Sequence, residues 1–136
     1  MLRAMATNNF FAPDLDAARE WYSRLFGMEP YFVVEGGYLE WRIGPRQDEF
    51  GIVRSDWAPH PVGTPAGPIL FWAVEDVAAA LTSLVELGAT EHMPVTERGP
   101  GFVTAAVVDP FGNVLGIMEN VHVEEDLAGR GGSRQG

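Results

Sequence analysis

Residues 12–27 read APDLDAAREWYSRLFG, and residues 74–88 read VEDVAAALTSLVELG. The two stretches are versions of one pattern. Asp14 aligns with Asp76, Leu15 with Val77, Ala17 and Ala18 with Ala79 and Ala80, and Leu25 with Leu87. After a one-residue slip, Gly27 meets Gly88. In the first stretch Leu15, Ala18, Tyr22, Leu25 and Phe26 recur at helical spacing, while Asp16, Arg19, Glu20, Ser23 and Arg24 take the opposite side. In the second, Val77, Ala80, Leu81, Leu84 and Val85 form the stripe. Each aspartate stands where an N-cap accepts an orphan amide, and each glycine where a helix ends in a left-handed residue.

The likeness extends outward. GGYLEW from Gly36 matches PGFVTA from Pro100, and FGIV from Phe50 matches LGIM from Leu115. The offset drifts from 62 (Asp14 to Asp76) and 61 (Gly27 to Gly88) to 64 (Gly36 to Pro100) and 65 (Phe50 to Leu115). Such drift marks two copies of one unit with loop insertions, and the period is too long for a solenoid. A short apolar strand precedes each helix, at 6–12 and 69–74. Three extended runs follow each helix, at 31–35, 38–43 and 50–54 and again at 92–95, 102–108 and 114–119. The pattern predicts an α+β fold of two tandem βαβββ modules, at about 4–54 and 69–122, within one domain over 4–125. Between them 55–68 carries Pro59, Pro61, Pro65 and Pro68 and reads as a stiff linker. The Gly-rich stretch 126–136 lacks periodicity and reads as a disordered tail.

Composition narrows the function. The chain has 136 residues, 19 acidic and 9 basic, for a formal net charge of -10. A chain of this length can hide about two thirds of its unfolded surface, enough for a self-sufficient core. The charge argues against nucleic acid and against an anionic membrane as partners, since both need clustered Lys and Arg. There is no cysteine, which excludes disulfides, thiolate metal sites and a thiol nucleophile. No segment approaches the roughly 18 apolar residues of a membrane span, and the N-terminus lacks the apolar core of a signal peptide. A cytoplasmic protein is expected.

Asp109-Pro110-Phe111-Gly112-Asn113 separates two strand-like runs. Proline presets one turn angle, glycine supplies a positive one, and the aspartate bonds amides ahead of it. Taken with the duplicated βαβββ unit, the Asp-Leu start of the first helix, the W-Y-x-x-x-F-G at its end (21–27) and VVDPFGNVLGIME at 107–119, this turn resembles the vicinal oxygen chelate superfamily. That superfamily comprises glyoxalases, extradiol dioxygenases and bleomycin-resistance proteins. The resemblance covers about residues 4–120 and implies curved mixed sheets around a cup. It also implies four metal-ligand positions facing that cup, usually His or Glu in metal-dependent members. Here those positions hold Thr7, Gly51, Ile69 and Gly116. Their neighbours Ala6, Asn8, Leu115 and Ile117 supply no better ligand. The departure favours the metal-free branch, with no metal and no cofactor.

Strand alternation assigns the rest of the cup. With Thr7 go Asn9 and Phe11, and with Ile69 goes Phe71. With Gly51 goes Val53, and with Gly116 goes Met118. The central strands add Tyr38, Glu40 and Arg42 on one side of the repeat, and Phe102, Thr104 and Ala106 on the other. Leu39, Trp41 and Ile43 would then pack on the first helix. The two glycines leave space where other members place ligands. Trp57, in the linker, reads either as a lid or as part of a dimer interface. Of the histidines His60, His92 and His122, none falls on a ligand position. Glu119-x-x-His122-x-Glu124 reads as acidic surface rather than a metal cluster, because 119 and 122 point apart in an extended chain.

The favoured function is metal-independent binding of a small hydrophobic or aromatic molecule, with antibiotic sequestration as one form of it. The resemblance implies a homodimer. The alternative is a lyase, isomerase or dioxygenase of the superfamily, metal-free or with displaced ligands. In the metal-free case Glu40 and Arg42 are the candidate catalytic residues, as groups able to move a proton.

Overall fold

The computed structural model describes residues 1–133. The chain divides into two compact units, 1–61 and Val62 onward. The boundary falls inside the proline-rich stretch expected to act as a linker.

The first unit is β1 (Asn8–Ala12), α1 (Leu15–Phe26), β2 (Phe32–Val34), β3 (Tyr38–Ile43) and β4 (Asp48–Arg54). Its sheet has the order β1-β4-β3-β2. β1 runs parallel to β4, and the other pairs are antiparallel. The second unit repeats this with β5 (Leu70–Ala73), α2 (Val77–Glu86), β6 (Thr90–Gly99), β7 (Phe102–Val108) and β8 (Val114–Asn120). Its order is β5-β8-β7-β6, again with one parallel pair, β5 with β8. Both modules are therefore the βαβββ unit that the repeat implied.

The helices begin and end where their caps dictate. Asp14 accepts from Ala17 N at 3.1 Å, and Asp76 from Ala79 N at 3.0 Å. Gly27 closes α1 at φ 70, a left-handed angle costly for any residue with a Cβ. α2 has a further support: Glu119 Oε2 accepts from Val77 N at 3.0 Å. A carboxylate there satisfies an orphan amide and favours the positive end of the helix dipole.

Each helix covers one face of its sheet. In the first unit that interface is aromatic: Phe10, Tyr22, Trp41 and Phe50 are buried, and rings of Tyr22, Phe26, Trp41 and Phe50 pack at centroid distances of 5.3–6.4 Å. Trp41 Nε1 donates to Met28 O at 3.1 Å, which removes the cost of burying an indole N–H. In the second unit the interface is mainly aliphatic, with Val77, Leu84, Ala105, Val107, Leu115 and Ile117 buried and the Trp72 ring in the row of Ile117 and Ala105. The DPFGN turn closes the β7–β8 hairpin. Asp109 Oδ1 accepts from Phe111 N (2.9 Å) and Asn113 N (2.8 Å), and Oδ2 from Asn113 Nδ2 (2.9 Å).

Three expectations shift. β6 runs on to Gly99 rather than stopping at 95, through register shifts that carry it past Pro94. The linker holds a 3-10 turn, Ser55–Trp57. Where a disordered tail was expected from 126, a helix α3 (Val121–Ser133) follows β8 directly. Asn120 Oδ1 starts it by accepting from His122 N (3.0 Å) and Val123 N (3.3 Å). Residues 134–136 of the expected tail lie outside the described residues. No helix among the described residues is long and apolar enough to cross a membrane.

Candidate functional site

Because α1 takes one face of its sheet, the alternate residues form an open face. Across it Asn9, Gly51, Glu40 and Phe32 stand in one row of the register, and Phe11, Val53, Tyr38 and Val34 in another. Gly51 is the close approach in this face. A Cβ there would stand 2.5 Å from Asn9 Oδ1, Tyr38 Cε1 and Tyr38 Oη. Tyr38 and Asn9 thus lie over the glycine, and only glycine lets them.

The phenol of Tyr38 donates to Glu40 Oε1 at 3.1 Å. Burial pushes its pKa up, the hydrogen bond to Glu40 and the charges of Glu40 and Glu49 add to this, and a hydrogen bond with Thr7 opposes it; the result is about 12. Glu40 is 8% exposed. Its other oxygen faces Arg42 Nε at 3.6 Å. The Arg42 guanidinium in turn lies 4.2 Å from the centroid of the Tyr31 ring. Thr7, Asn9, Tyr38, Glu40, Arg42 and Gly51 are therefore one connected polar cluster, and Tyr31, Phe32 and Glu49 join it. The sequence reading missed those three because Tyr31 and Phe32 stand just before and at the start of the three-residue β2, and Glu49 is brought in by cross-strand register with Arg42.

In the second unit the corresponding face is apolar. Phe71, Gly116, Ala106 and Met93 share a row, and Ala73, Met118, Thr104 and Thr96 the next. Gly116 repeats the close approach with different chemistry. A Cβ there would stand 2.6 Å from Phe71 Cδ1 and 2.8 Å from Ile69 Cγ2. The space expected above both glycines is thus filled, by Tyr38 and Asn9 in one unit and by Phe71 and Ile69 in the other. Glycine here makes room for neighbouring rings. Phe102 packs on His122 at 5.6 Å between ring centroids. Of the two threonines in that row, Thr96 donates to Pro94 O at 2.9 Å, while Thr104 is buried and its hydroxyl accepts from Arg98 Nε at 3.1 Å. Arg98 was missed because the sequence reading ended its strand at 95.

The remaining candidates are placed as follows. Trp57 lies over the backbone of Gly37, with the Arg54 guanidinium 5.4 Å from its ring, and stays 57% exposed. It covers the β2–β3 turn of its own unit. His60 packs edge-on against Phe11 at 5.3 Å. Glu119 is committed to α2 and His122 to Phe102, so the Glu119-x-x-His122 pair does not converge.

With this geometry in hand, likeness to known proteins becomes informative. The sequence profile of the glyoxalase/bleomycin resistance protein/dioxygenase superfamily matches residues 5–117. The chain belongs to that superfamily. A sequence search of curated proteins finds no match. Among solved structures, a glyoxalase-related enzyme from Fulvimarina pelagi is 21% identical with a TM-score of 0.70, covering 88% of this chain and 90% of its own. The bleomycin resistance determinant encoded on transposon Tn5 is 22% identical with a TM-score of 0.63, covering 87% and 98%. A mutant of the fosfomycin resistance protein FosX from Listeria monocytogenes, complexed with Mn(II), is 13% identical with a TM-score of 0.68, covering 88% and 92%. At these identities the likeness concerns the fold, and a shared fold leaves activity open.

The superfamily's metal chemistry can be tested against the residues present. Thr7, Gly51, Ile69 and Gly116 offer one neutral hydroxyl between them, where divalent ions want imidazole or carboxylate. The two glycine positions lie beneath side chains that block approach to the backbone. Among the described residues no group of three or more His, Asp or Glu side chains could hold a metal. The residues at the inferred ligand positions do not fit a divalent ion.

Proposed function

We propose that the chain binds a small hydrophobic or aromatic molecule without a metal, on the sheet faces that its helices leave open, and acts by holding that molecule. One observation carries the reading. At both glycines of the inferred ligand set, the space a ligand side chain would need is taken by an aromatic ring, Tyr38 over Gly51 and Phe71 over Gly116. Rings at those points present stacking surface, with each well-placed pair adding about 0.5–1.5 kcal/mol beyond area burial. Thr7, Asn9, Phe11, Tyr38, Glu40, Arg42 and Val53 in one unit, and Ile69, Phe71, Phe102, Thr104 and Met118 in the other, are the proposed ligand-binding residues. Trp57, over its own turn, is the weakest member of the set. Antibiotic sequestration in the cytoplasm by a homodimer is the biological form we propose. The exposed edge strand β2, with Phe32 and Val34 outward, is consistent with a second copy.

A second reading is favoured by one observation, the buried Glu40 carboxylate with Tyr38 donating to it. Such a carboxylate could take a proton from a bound substrate, which would make the chain a metal-free lyase or isomerase.

The deciding experiment is titration of planar aromatic compounds in EDTA, followed by tryptophan fluorescence, with the ligand recovered and weighed by mass spectrometry. Stoichiometric quenching and unchanged ligand support sequestration. Turnover in EDTA that Glu40→Gln abolishes supports the second reading. A requirement for added metal would overturn both.

A further inference from the structure

Arg98 stands at a register shift. Glu97 pairs with Val103 and Gly99 with Phe102, so Arg98 is the extra residue of a β-bulge in β6. Bulges re-aim a side chain, and they concentrate beside functional sites. Here the bulge sends Arg98 over β7, where its Nε donates to Thr104 Oγ1 at 3.1 Å. Thr104 is 7% exposed and sits opposite Met118, so the anchor is built into the open face of the second unit. One face of the guanidinium is thereby fixed and the outer fork remains.

The fork is charged and, among the described residues, carries no carboxylate partner. Arg19, Arg42, Arg46 and Arg54 each lie within salt-bridge reach of a carboxylate, at 2.5–3.6 Å. Among the described residues Arg98 has no such carboxylate, although acidic residues outnumber basic ones 19 to 9; its polar contact is with the Thr104 hydroxyl. An arginine fork held by the hydroxyl of Thr104, which faces Met118 across the strands, and next to the Gly99–Phe102 pair, matches a planar ring that carries an anionic group. The ring would lie against Phe102, and the carboxylate would pair with the two outer nitrogens.

We infer that Arg98, positioned by Thr104, selects an aromatic carboxylate as the ligand of the second unit's open face. This rests on the binding reading above and names its ligand class. A neutral analogue of the same shape would lose the charged pair and keep the stacking.

The test is calorimetric titration with naphthalene-2-carboxylate and naphthalene-2-carboxamide in EDTA. The expected result is about ten-fold tighter binding of the carboxylate, the worth of one charge-assisted contact. Arg98→Gln should erase that preference, with the carboxylate losing far more affinity than the amide. Thr104→Val, which keeps the fork but frees its aim, should erase part of it, and added salt should weaken only the carboxylate. Equal binding of both compounds by the wild type, or a preference that survives Arg98→Gln, overturns the inference while leaving the binding reading intact. Failure of both compounds to bind overturns the binding reading and this one with it. Far-ultraviolet circular dichroism and unfolding midpoints of both variants show that any loss is not a loss of fold.

Discussion

The two modules share a frame and differ in what they carry on it. Both helices start on an aspartate that caps the third residue onward, and both sheets pair their first strand parallel to their last. On the helix side Trp41 of β3 corresponds to Ala105 of β7, and both are fully buried. On the open side the series Tyr38, Glu40, Arg42 corresponds to Phe102, Thr104, Ala106. The first unit therefore has an aromatic core under a polar face, and the second a mainly aliphatic core, with Trp72 at its β5 edge, under a more apolar face. Duplication preserved the residues that make the backbone turn and cap, since those have few substitutes. It left the two faces free to diverge, because a strand holds its register with any residue that keeps the alternation.

The comparison breaks most visibly at the core. Trp41→Ala removes an indole that meets Tyr22, Phe26 and Phe50 and whose N–H bonds Met28 O. The expected loss is about 3–5 kcal/mol, as for other aromatic truncations in a packed core. Ala105→Gly at the matching place should cost only about 1 kcal/mol, the price of backbone freedom in a strand interior. Urea unfolding of both variants reads the ratio, and a Trp41→Ala cost near that of Ala105→Gly would mean the two cores are not organised differently.

The hairpin turns come next. Asp109→Ala strands two backbone amides and a side-chain amide in the β7–β8 turn, in a residue that is 3% exposed. About 2 kcal/mol is expected, the usual cost of leaving buried donors unmet. The equivalent β3–β4 turn instead relies on Gly44 at φ 73 and Gln47 at φ 56. Gln47→Gly should be neutral or slightly stabilising, because it relieves a left-handed non-glycine residue. Thermal melts of the two variants should move in opposite directions, and a destabilised Gln47→Gly would show that its amide bond to Gly44 O matters more than its backbone angle.

The caps differ by a smaller amount. Asp14→Ala should cost about 1 kcal/mol. Asp76→Ala should cost less, because Glu119 still meets Val77 N and so holds the first turn of α2. If Asp76→Ala proves the costlier of the two, Glu119 is not acting as a second cap.

How much of this was legible follows from which interactions are local. The caps, both helices and the bounds of β3 and β7 could be read from spacing, because Asp14, Gly27, Asp76 and the alternations at 38–43 and 102–108 act within a few residues. Alternation shows which residues share a strand face, but spacing alone does not decide which of the two faces meets the helix. The end of β6, the aim of Arg98 and the filling of the space above Gly51 and Gly116 could not be read. Each depends on a bulge or on a ring arriving from a neighbouring strand, which register decides and sequence spacing does not. The helix over 121–133 was missed because its glycines argue against helix, and its start depends on the side chain of Asn120.

The finest difference between the two faces is a proton. Tyr38 has its pKa pushed up to about 12, first by burial and then by the hydrogen bond to Glu40 and the charges of Glu40 and Glu49. An unfolded tyrosine ionises near 10. Between about pH 10 and 12 the unfolded chain therefore binds fewer protons at this residue than the folded one, and stability falls as pH rises through that window. Below pH 10 both states keep the proton and the contribution is complete. Phe102, the matching residue of the second unit, has no proton to lose, so the alkaline sensitivity belongs to the first unit's face. Tyr38→Phe should flatten this part of the stability profile, and the wild-type-minus-variant absorbance titration near 295 nm should show one late tyrosinate. Glu40→Gln removes both the charge and the anionic acceptor, so the late step should move down towards 10 while burial holds it above. A Tyr38 step that stayed put in Glu40→Gln would leave burial and the Glu49 charge as the causes, and the Tyr38–Glu40 pair would then be a contact without electrostatic consequence.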